Sequence, residues 1–539
     1  MLVKSLDVME ENLKSFLSDP DNNHDLKTAV SMAKEILVHK KDSSYAQYAL
    51  ALNEIVYANR LAPLSDFTSS IERLKRLIKL HPKFLEAHLM LAKIYGETDK
   101  DLELKTLAKA NKIFPNHYLI MYDLASLKLF KTGEKEEALE LLFKCVEKLP
   151  QLPNNWAMLG TAYIMLREFE MAKTCFETAL NLEPDHLNSV LGIGVYHFEN
   201  ANFVKAREYY QRSLKINKDS YYANFNIALL EILEGNFKKG IELHEKRDKK
   251  AVLNKYGGSG YIEMQQKDVK KDTNNKILVI KEQGYGDDIM FSRYLNFFKS
   301  LGYNITLATN PELINLLKAS PDLDDIKIVS SLPELSPDTF DFRTHLMSLP
   351  YLLLNYIEEK PKPIYICEKR IKSKELKFQN QIDRTLNNKK LKVGITWSGN
   401  PKHWRDKNRS IELEMLQTLF SLEKVEFYAI QKVFEKREEK ILKKYKNVNL
   451  CSEYLYDFAH TAYLTSKMDL IISVDTSLVH LAGSMNKKTY LMTPVVPDWR
   501  WGLKKTQDWY PSVSLVRQDK IGCWIQPIQK MKKLLNSKI

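Results

Sequence analysis

The chain has 539 residues, enough for about three to five domains of ordinary size. With 44% apolar and 28% charged residues it is neither a disordered polymer nor a fibrous one. No apolar run approaches the roughly 20 residues that span a bilayer. The net charge of +13 comes from lysines dispersed along the chain without a dense basic block, so nucleic acid is not the expected partner. Asp7, Glu10 and Glu11 interrupt the amino terminus before a signal-peptide core can form. The five cysteines (145, 175, 367, 451, 523) lack C-x-x-C spacing and histidine neighbours. A structural zinc and a disulfide framework are therefore not expected, and a reducing cytoplasm is.

Residues 1–50 read as helical, a degenerate repeat or a cap. Beyond them a proline follows an apolar helix end at 82, 115, 150 and 184, with Lys218 at the next place, giving intervals of 33, 35, 34 and 34 residues. The clearest unit carries Trp156, Leu159, Gly160, Tyr163, Ala172, Phe176, Ala179 and Pro184, which resembles the tetratricopeptide consensus. Small residues at 160 and 172 let antiparallel helices approach, aromatic residues fill the gaps, and proline stops the second helix. The spacing predicts an array over 51–250, a solenoid whose concave face suits a peptide or partner protein. Its aromatic residues read first as core.

The periodicity changes after residue 250. A Gly/Ser-rich and then polar stretch, 251–273, reads as a linker. Short β-rich segments follow at 276–280, 304–309, 325–330 and 341–347, then a charged connector at 371–390. A second series occupies 393–397, 425–430, 469–475, 488–492 and 513–516. Apolar strands alternating with helices predict parallel sheets covered on both faces, here two Rossmann-like halves (274–370 and 391–539) with a ligand cleft between them.

Three loops carry the chemistry. KEQGYGDDIM follows the first strand, where Gly284 and Gly286 allow close approach of backbone and ligand. Ile289 replaces the third glycine of a dinucleotide fingerprint, which sets a dehydrogenase aside. Asp287 in this loop reads equally as a helix cap and as a catalytic carboxylate. In SVDTSLVHLAGSM, Asp475, Thr476 and Ser477 open a helix whose N–H groups suit a diphosphate, and His480 reads either with them or as a packing residue. In WSGNPKHWRDKNRS, Trp397, Ser398 and Asn400 close a strand, and Arg409 has the fork that clamps phosphate. Gln431 and Lys432 end the next strand in the same way. The run PDWRWGL with Trp509 and Tyr510 fits an aromatic rim of the cleft or packing between halves.

In this order the loops resemble those of tetratricopeptide-linked glycosyltransferases whose catalytic part is similar to the bacterial heptosyltransferase family, an inverting group with the GT-B fold. The likeness runs over about residues 150–539 and includes GNFKKGIELHEKR at the end of the array. The resemblance implies a repeat solenoid followed by a GT-B-like pair of domains, with 274–370 on the acceptor side and 391–539 holding the nucleotide sugar. It implies Asp287 as general base, Thr476, Ser477 and His480 toward the donor phosphates, Asp475 shaping that loop, and Lys432 near the donor. Heptosyltransferases of lipopolysaccharide normally lack repeats, and Gln283 and Tyr285 depart from them, so ADP-heptose and a lipid A core acceptor are not carried over.

The expected activity is metal-independent transfer, with inversion, of a sugar from a nucleotide donor to an acceptor hydroxyl, without a cofactor. A protein bound by the array is the expected acceptor. The alternatives are synthesis of a surface glycan and a scaffold with an inactive transferase-like domain.

Overall fold

Helices in the first part of the chain arise where apolar residues recur every three to four positions and small residues mark the crossings. The computed structural model describes residues 2–18, 26–60, 67–247, 249, 261–330, 339–371, 389–401 and 403–539. The glycine-rich part of the expected linker and most of the expected connector, 372–388, lie outside them. The chain forms two bodies, Met1–Pro184 and Asp185–Ile539. Among the described residues no helix is long and apolar enough to cross a membrane.

In the first body the helices are α1 (Leu2–Ser18), α2 (Leu26–His39), α3 (Ser44–Arg60), α4 (Thr68–Leu80), α5 (Leu85–Thr98), α6 (Lys100–Ile113), α7 (Tyr118–Leu127), α8 (Lys135–Lys148), α9 (Pro153–Leu166) and α10 (Phe169–Leu182). Each helix packs against its neighbours in sequence, which stacks them as helical hairpins. Pro153 starts α9, where its missing N–H is not needed, and Arg167 ends it in a left-handed conformation (φ 69°). A Cβ on Gly160 would meet the Phe176 ring at 2.8 Å, so this glycine sets the approach of α9 to α10.

The second body begins inside the 51–250 array, with α11 (Leu187–Glu199), α12 (Phe203–Ile216), α13 (Tyr221–Glu234) and α14 (Phe237–His244). Ile232, Leu233 and Ile241 of the last hairpin enter the same core as Ile277, Ile289, Leu478, Trp499 and Trp509, which explains why the body starts at Asp185. The segment 261–273 follows it closely. Arg343 N–H donates to the Ile262 carbonyl at 2.8 Å, and Met264 and Val269 are buried.

Ten strands follow in two parallel sheets. The first holds β1 (Lys276–Ile280), β2 (Asn304–Ala308), β3 (Lys327–Val329) and β4 (Phe342–His345) in the order β3-β2-β1-β4. The second holds β5 (Leu391–Thr396), β6 (Val425–Ala429), β7 (Val448–Leu450), β8 (Leu470–Ser473), β9 (Thr489–Thr493) and β10 (Val513–Arg517) in the order β10-β9-β8-β5-β6-β7. Between strands run α15 (Tyr285–Phe291), α16 (Arg293–Ser300), α17 (Pro311–Lys318), α18 (Leu349–Leu352), α19 (Asp406–Arg409), α20 (Leu413–Phe420), α21 (Lys436–Leu442), α22 (Phe458–Ser466) and α23 (Ser477–Ser484), and α24 (Ile525–Asn536) closes the chain. This is the two-part parallel α/β architecture expected of a GT-B-like region. Strand order reverses at β1, between β2 and β4, and at β5, between β6 and β8. The carboxyl ends of strands at such reversals open crevices where ligands bind.

Candidate active site

The loop after β1 runs into α15 at the first reversal. Gly284 caps α15 in an extended conformation, and its N–H donates to Asp287 Oδ2 at 3.2 Å. The other carboxylate oxygen, Oδ1, accepts from the Arg500 guanidinium. One oxygen therefore caps the helix while the second pairs with an arginine of the other half, so capping and a chemical role are compatible in this residue. The side chain is 14% exposed. Burial raises its carboxyl above the usual range, against the opposing pull of Arg500. Asp288 turns the other way, into the protein. Its Oδ2 accepts from Thr309 Oγ1 at 2.8 Å and Asn310 Nδ2 at 3.2 Å, and burial pushes it up to about 7.

Opposite stands the loop after β8. Thr476 is the extended N-cap of α23, with no side-chain cap bond, and Ser473 Oγ lies 3.3 Å from Thr476 Oγ1. Asp475, Thr476 and Ser477 are half-buried at the helix start. α23 packs against α15 at Gly286, where a Cβ would lie 2.8 Å from His480 Cδ2 and 3.5 Å from Ser477 Cα. The glycine thus lets two helix N-termini converge, which concentrates positive potential and N–H donors in one place. His480 is buried behind that point. Its Nδ1 pairs with Tyr510 Oη at 3.1 Å, and its ring stacks on Trp501 at 5.4 Å. Burial depresses its pKa well below the ordinary value, so the ring is neutral packing between α15 and α23.

The β5 loop supplies a brace. Arg409 Nε donates to Asp406 Oδ1 at 3.1 Å and Nη1 donates to the Asp475 carbonyl at 2.7 Å, tying the β5 loop to the β8 loop. Gly399 passes so close to this guanidinium that any Cβ would collide with it and with Asp406. Gln431 Nε2 donates to Ser398 Oγ at 3.0 Å and to the Val433 carbonyl at 3.0 Å. Ser398 is half-buried and Asn400 exposed, and exposed Lys432 donates to the Tyr456 carbonyl at 3.3 Å. Trp397 goes elsewhere: it is fully buried in the core of the second sheet, and its indole N–H donates to Glu438 at 2.7 Å.

Two residues that sequence reasoning left in an aromatic run belong to this site. Asp498 caps the short turn Trp499–Trp501, and Arg500 Nη1 donates to Asp498 Oδ1 at 2.6 Å while Nη2 reaches Asp287. The guanidinium lies over the Trp499 ring, 4.2 Å from its centroid. Burial would raise the Asp498 carboxyl, but Arg500 outweighs it and holds Asp498 below the usual range. Burial and the neighbouring Asp498 push Asp475 up to about 6, against Arg409 and Arg500. One arginine therefore serves three carboxylates, drawn from both halves. The tryptophans around it, with Trp509 and Tyr510, are core rather than rim. An Asp two residues before an Arg flanked by tryptophans was the available signal.

Two family models match. Residues 153–186 match the tetratricopeptide repeat, and residues 348–490 match glycosyltransferase family 9 (heptosyltransferase). The second match spans the β5 and β8 loops but neither Asp287 nor Arg500. Curated relatives include anaphase-promoting complex subunit 3 of Schizosaccharomyces pombe, 22% identical over 36% of this chain and 30% of that protein. Protein O-mannosyl-transferase TMTC1 of Mus musculus is 28% identical over 29% of this chain and 17% of its own. A UDP-N-acetylglucosamine–peptide N-acetylglucosaminyltransferase of Giardia intestinalis is 28% identical over 18% of this chain and 7% of its own. The chain thus spans less than a third of the length of each. Among solved structures, MamA of Desulfovibrio magneticus RS-1 is 18% identical, with a TM-score of 0.28 over 32% of this chain and 97% of that one. YrrB, a TPR protein described with an unusual peptide-binding site, is 17% identical, with a TM-score of 0.29 over 35% of this chain and 95% of that one.

Proposed function

We propose that this protein is an inverting, metal-independent glycosyltransferase that moves a sugar from a nucleotide donor to an acceptor hydroxyl, the acceptor being a protein engaged by the repeats. The observation that carries the reading is Asp287, a carboxylate held above its ordinary pKa at the convergence of the α15 and α23 N-termini. The family 9 match over the loops beside it supports the reaction class. The donor diphosphate lies against the N–H groups and hydroxyls of Thr476 and Ser477 at the start of α23. Asp287 takes the acceptor's proton as the acceptor oxygen bonds to the anomeric carbon, while the bond from that carbon to the diphosphate oxygen breaks. Inversion follows from attack on the face opposite the leaving group. Charge growing on the diphosphate is met by the helix N–H groups, with Arg409 fixing the loop that presents them. Two of the relatives are transferases named for acting on protein or peptide, and with the repeat match they support a protein acceptor.

The test is a transfer assay in EDTA with a panel of nucleotide sugars, on the unmutated protein and Asp287→Asn. Loss of a general base is expected to slow transfer about 10²–10⁴-fold, with the nucleotide-induced thermal shift retained. Near-normal turnover in the variant overturns the assignment of Asp287, and a strict need for added divalent metal overturns metal independence.

A further inference from the structure

The two helical hairpins that open the second body each reach one of the site's loops with a buried ion pair. Glu199, at the end of α11, is 3% exposed and contacts Arg405 Nε at 2.9 Å. It also accepts from Asn408 Nδ2 at 2.5 Å. Arg405 Nη2 continues to the Val496 carbonyl at 3.1 Å, just before the segment that carries Asp498 and Arg500. Asn408 neighbours Arg409, the brace on Asp475. At the other end of the same hairpins, Arg247 grips Glu282 with both arms of its fork, Nε to Oε1 at 2.9 Å and Nη2 to Oε2. Its Nη2 also donates to Ser348 Oγ at 2.9 Å. Both side chains of that pair are nearly inaccessible, 5% and 3% exposed. Glu282 lies two residues before Gly284, in the loop that delivers Asp287.

Such pairs are costly to bury and weak evidence of added stability, so their presence beside the site asks for another reason. The geometry points to one: residues 187–247, although written as repeats, are a positioning element of the transferase site, with Glu199 holding the donor loop and Arg247 holding the base loop. The inference rests on the transferase reading above and deepens it. The two clamps act on different partners of the reaction. Glu199 fixes the β5 loop and, through Asn408 and Arg409, the loop that meets the donor phosphates. Arg247 fixes the start of the turn that aims Asp287 at the acceptor hydroxyl. Neither touches substrate, so both are positioning residues.

The full-length protein is compared with Glu199→Gln, Arg247→Met and Arg247→Lys. Glu199→Gln is expected to raise the donor KM at least about tenfold with kcat within about threefold. Arg247→Met is expected to lower kcat at least about tenfold with the donor KM within about threefold, and Arg247→Lys to recover part of that loss. Hydrogen–deuterium exchange reads the same clamps without catalysis. Glu199→Gln should raise exchange in residues 403–411 and leave 281–288 unchanged, and Arg247→Met should do the reverse. Equal changes in kcat and KM in both variants, or exchange rising over the whole body, overturn the positioning role. Unmutated protein that transfers no sugar while the exchange pattern holds counts against the transferase reading alone.

Discussion

Replacing Arg500 with glutamine tests the charge economy of the cleft. The guanidinium is 9% exposed, and it faces Asp287 at 14% and Asp498 at 30%, with Asp475 close enough to feel its charge. Removing one member of a buried pair costs about 3–5 kcal/mol, because the other charge is left without compensation. A single pair about 4 Å apart at an effective dielectric near 20 gives a similar figure, about 4 kcal/mol. Arg409 cannot take over, since it is committed to Asp406 and the Asp475 carbonyl. The sign of the pH dependence follows. Without Arg500 the folded-state pKa values of Asp287 and Asp475 rise further, and Asp498 loses its depression. Ionising these groups above their unfolded values near 4 then penalises the folded state. The deficit should be largest near pH 8 and shrink as pH falls through and below 4, as the carboxyls become protonated in both states. Six of the seven tryptophans lie at residue 397 or beyond, so fluorescence during urea denaturation follows the second body. Arg500→Lys should recover part of the loss by restoring charge without the fork. An equal deficit at every pH in Arg500→Gln would refute the reasoning.

Asp288→Asn should stabilise the protein by about 4 kcal/mol more near pH 8 than near pH 4. The buried acid, raised to about 7, loses its contribution as pH climbs from its unfolded value through 7. The asparagine oxygen can still accept from Thr309 and Asn310, although its amide meets an oxygen site with no partner among the described residues. Denaturant midpoints at the two pH values decide it. Gly286→Ala should cost about 1–3 kcal/mol, since His480 is boxed by Trp501 and Tyr510 and cannot yield. Gly284→Ala should cost under about 0.5 kcal/mol, because its Cβ meets only Asp287 Oδ2 at 3.7 Å. Similar losses at both glycines would count against helix convergence at Gly286.

Strands were legible where both faces are buried, because such strands are mostly apolar. β1 spans the KILVI run as read, and β6 is buried at all five positions. β7 escaped notice for the opposite reason. It is a three-residue edge strand, half-buried at each position, and VNL has no run to detect. Repeat periodicity gave the hairpins but not the body boundary after Pro184, since Ile232, Leu233 and Ile241 obey the repeat spacing while packing against another element.

The candidate site was legible loop by loop and illegible in its couplings. Gly286 reads in sequence as room for a ligand, whereas its space is filled by His480 and by the neighbouring helix start. Trp397 reads as a strand-end contact, but strand alternation sends its side chain to the core. Arg500 lies 213 residues from the carboxylate it holds, and Arg405 lies 206 from Glu199, so no local pattern joins either pair. What links them is the reversal of strand order, which brings the ends of β1 and β5 to facing crevices and leaves charged loops to be fixed by whatever packs beside them. A loop that must present a carboxylate or an N–H group within a few tenths of an ångström needs such fixing. The hairpins of 187–247 and the Trp499–Trp501 turn supply it here. Substitutions there should therefore act on catalysis through loop order, which is why exchange in 281–288 and 403–411 is the discriminating readout.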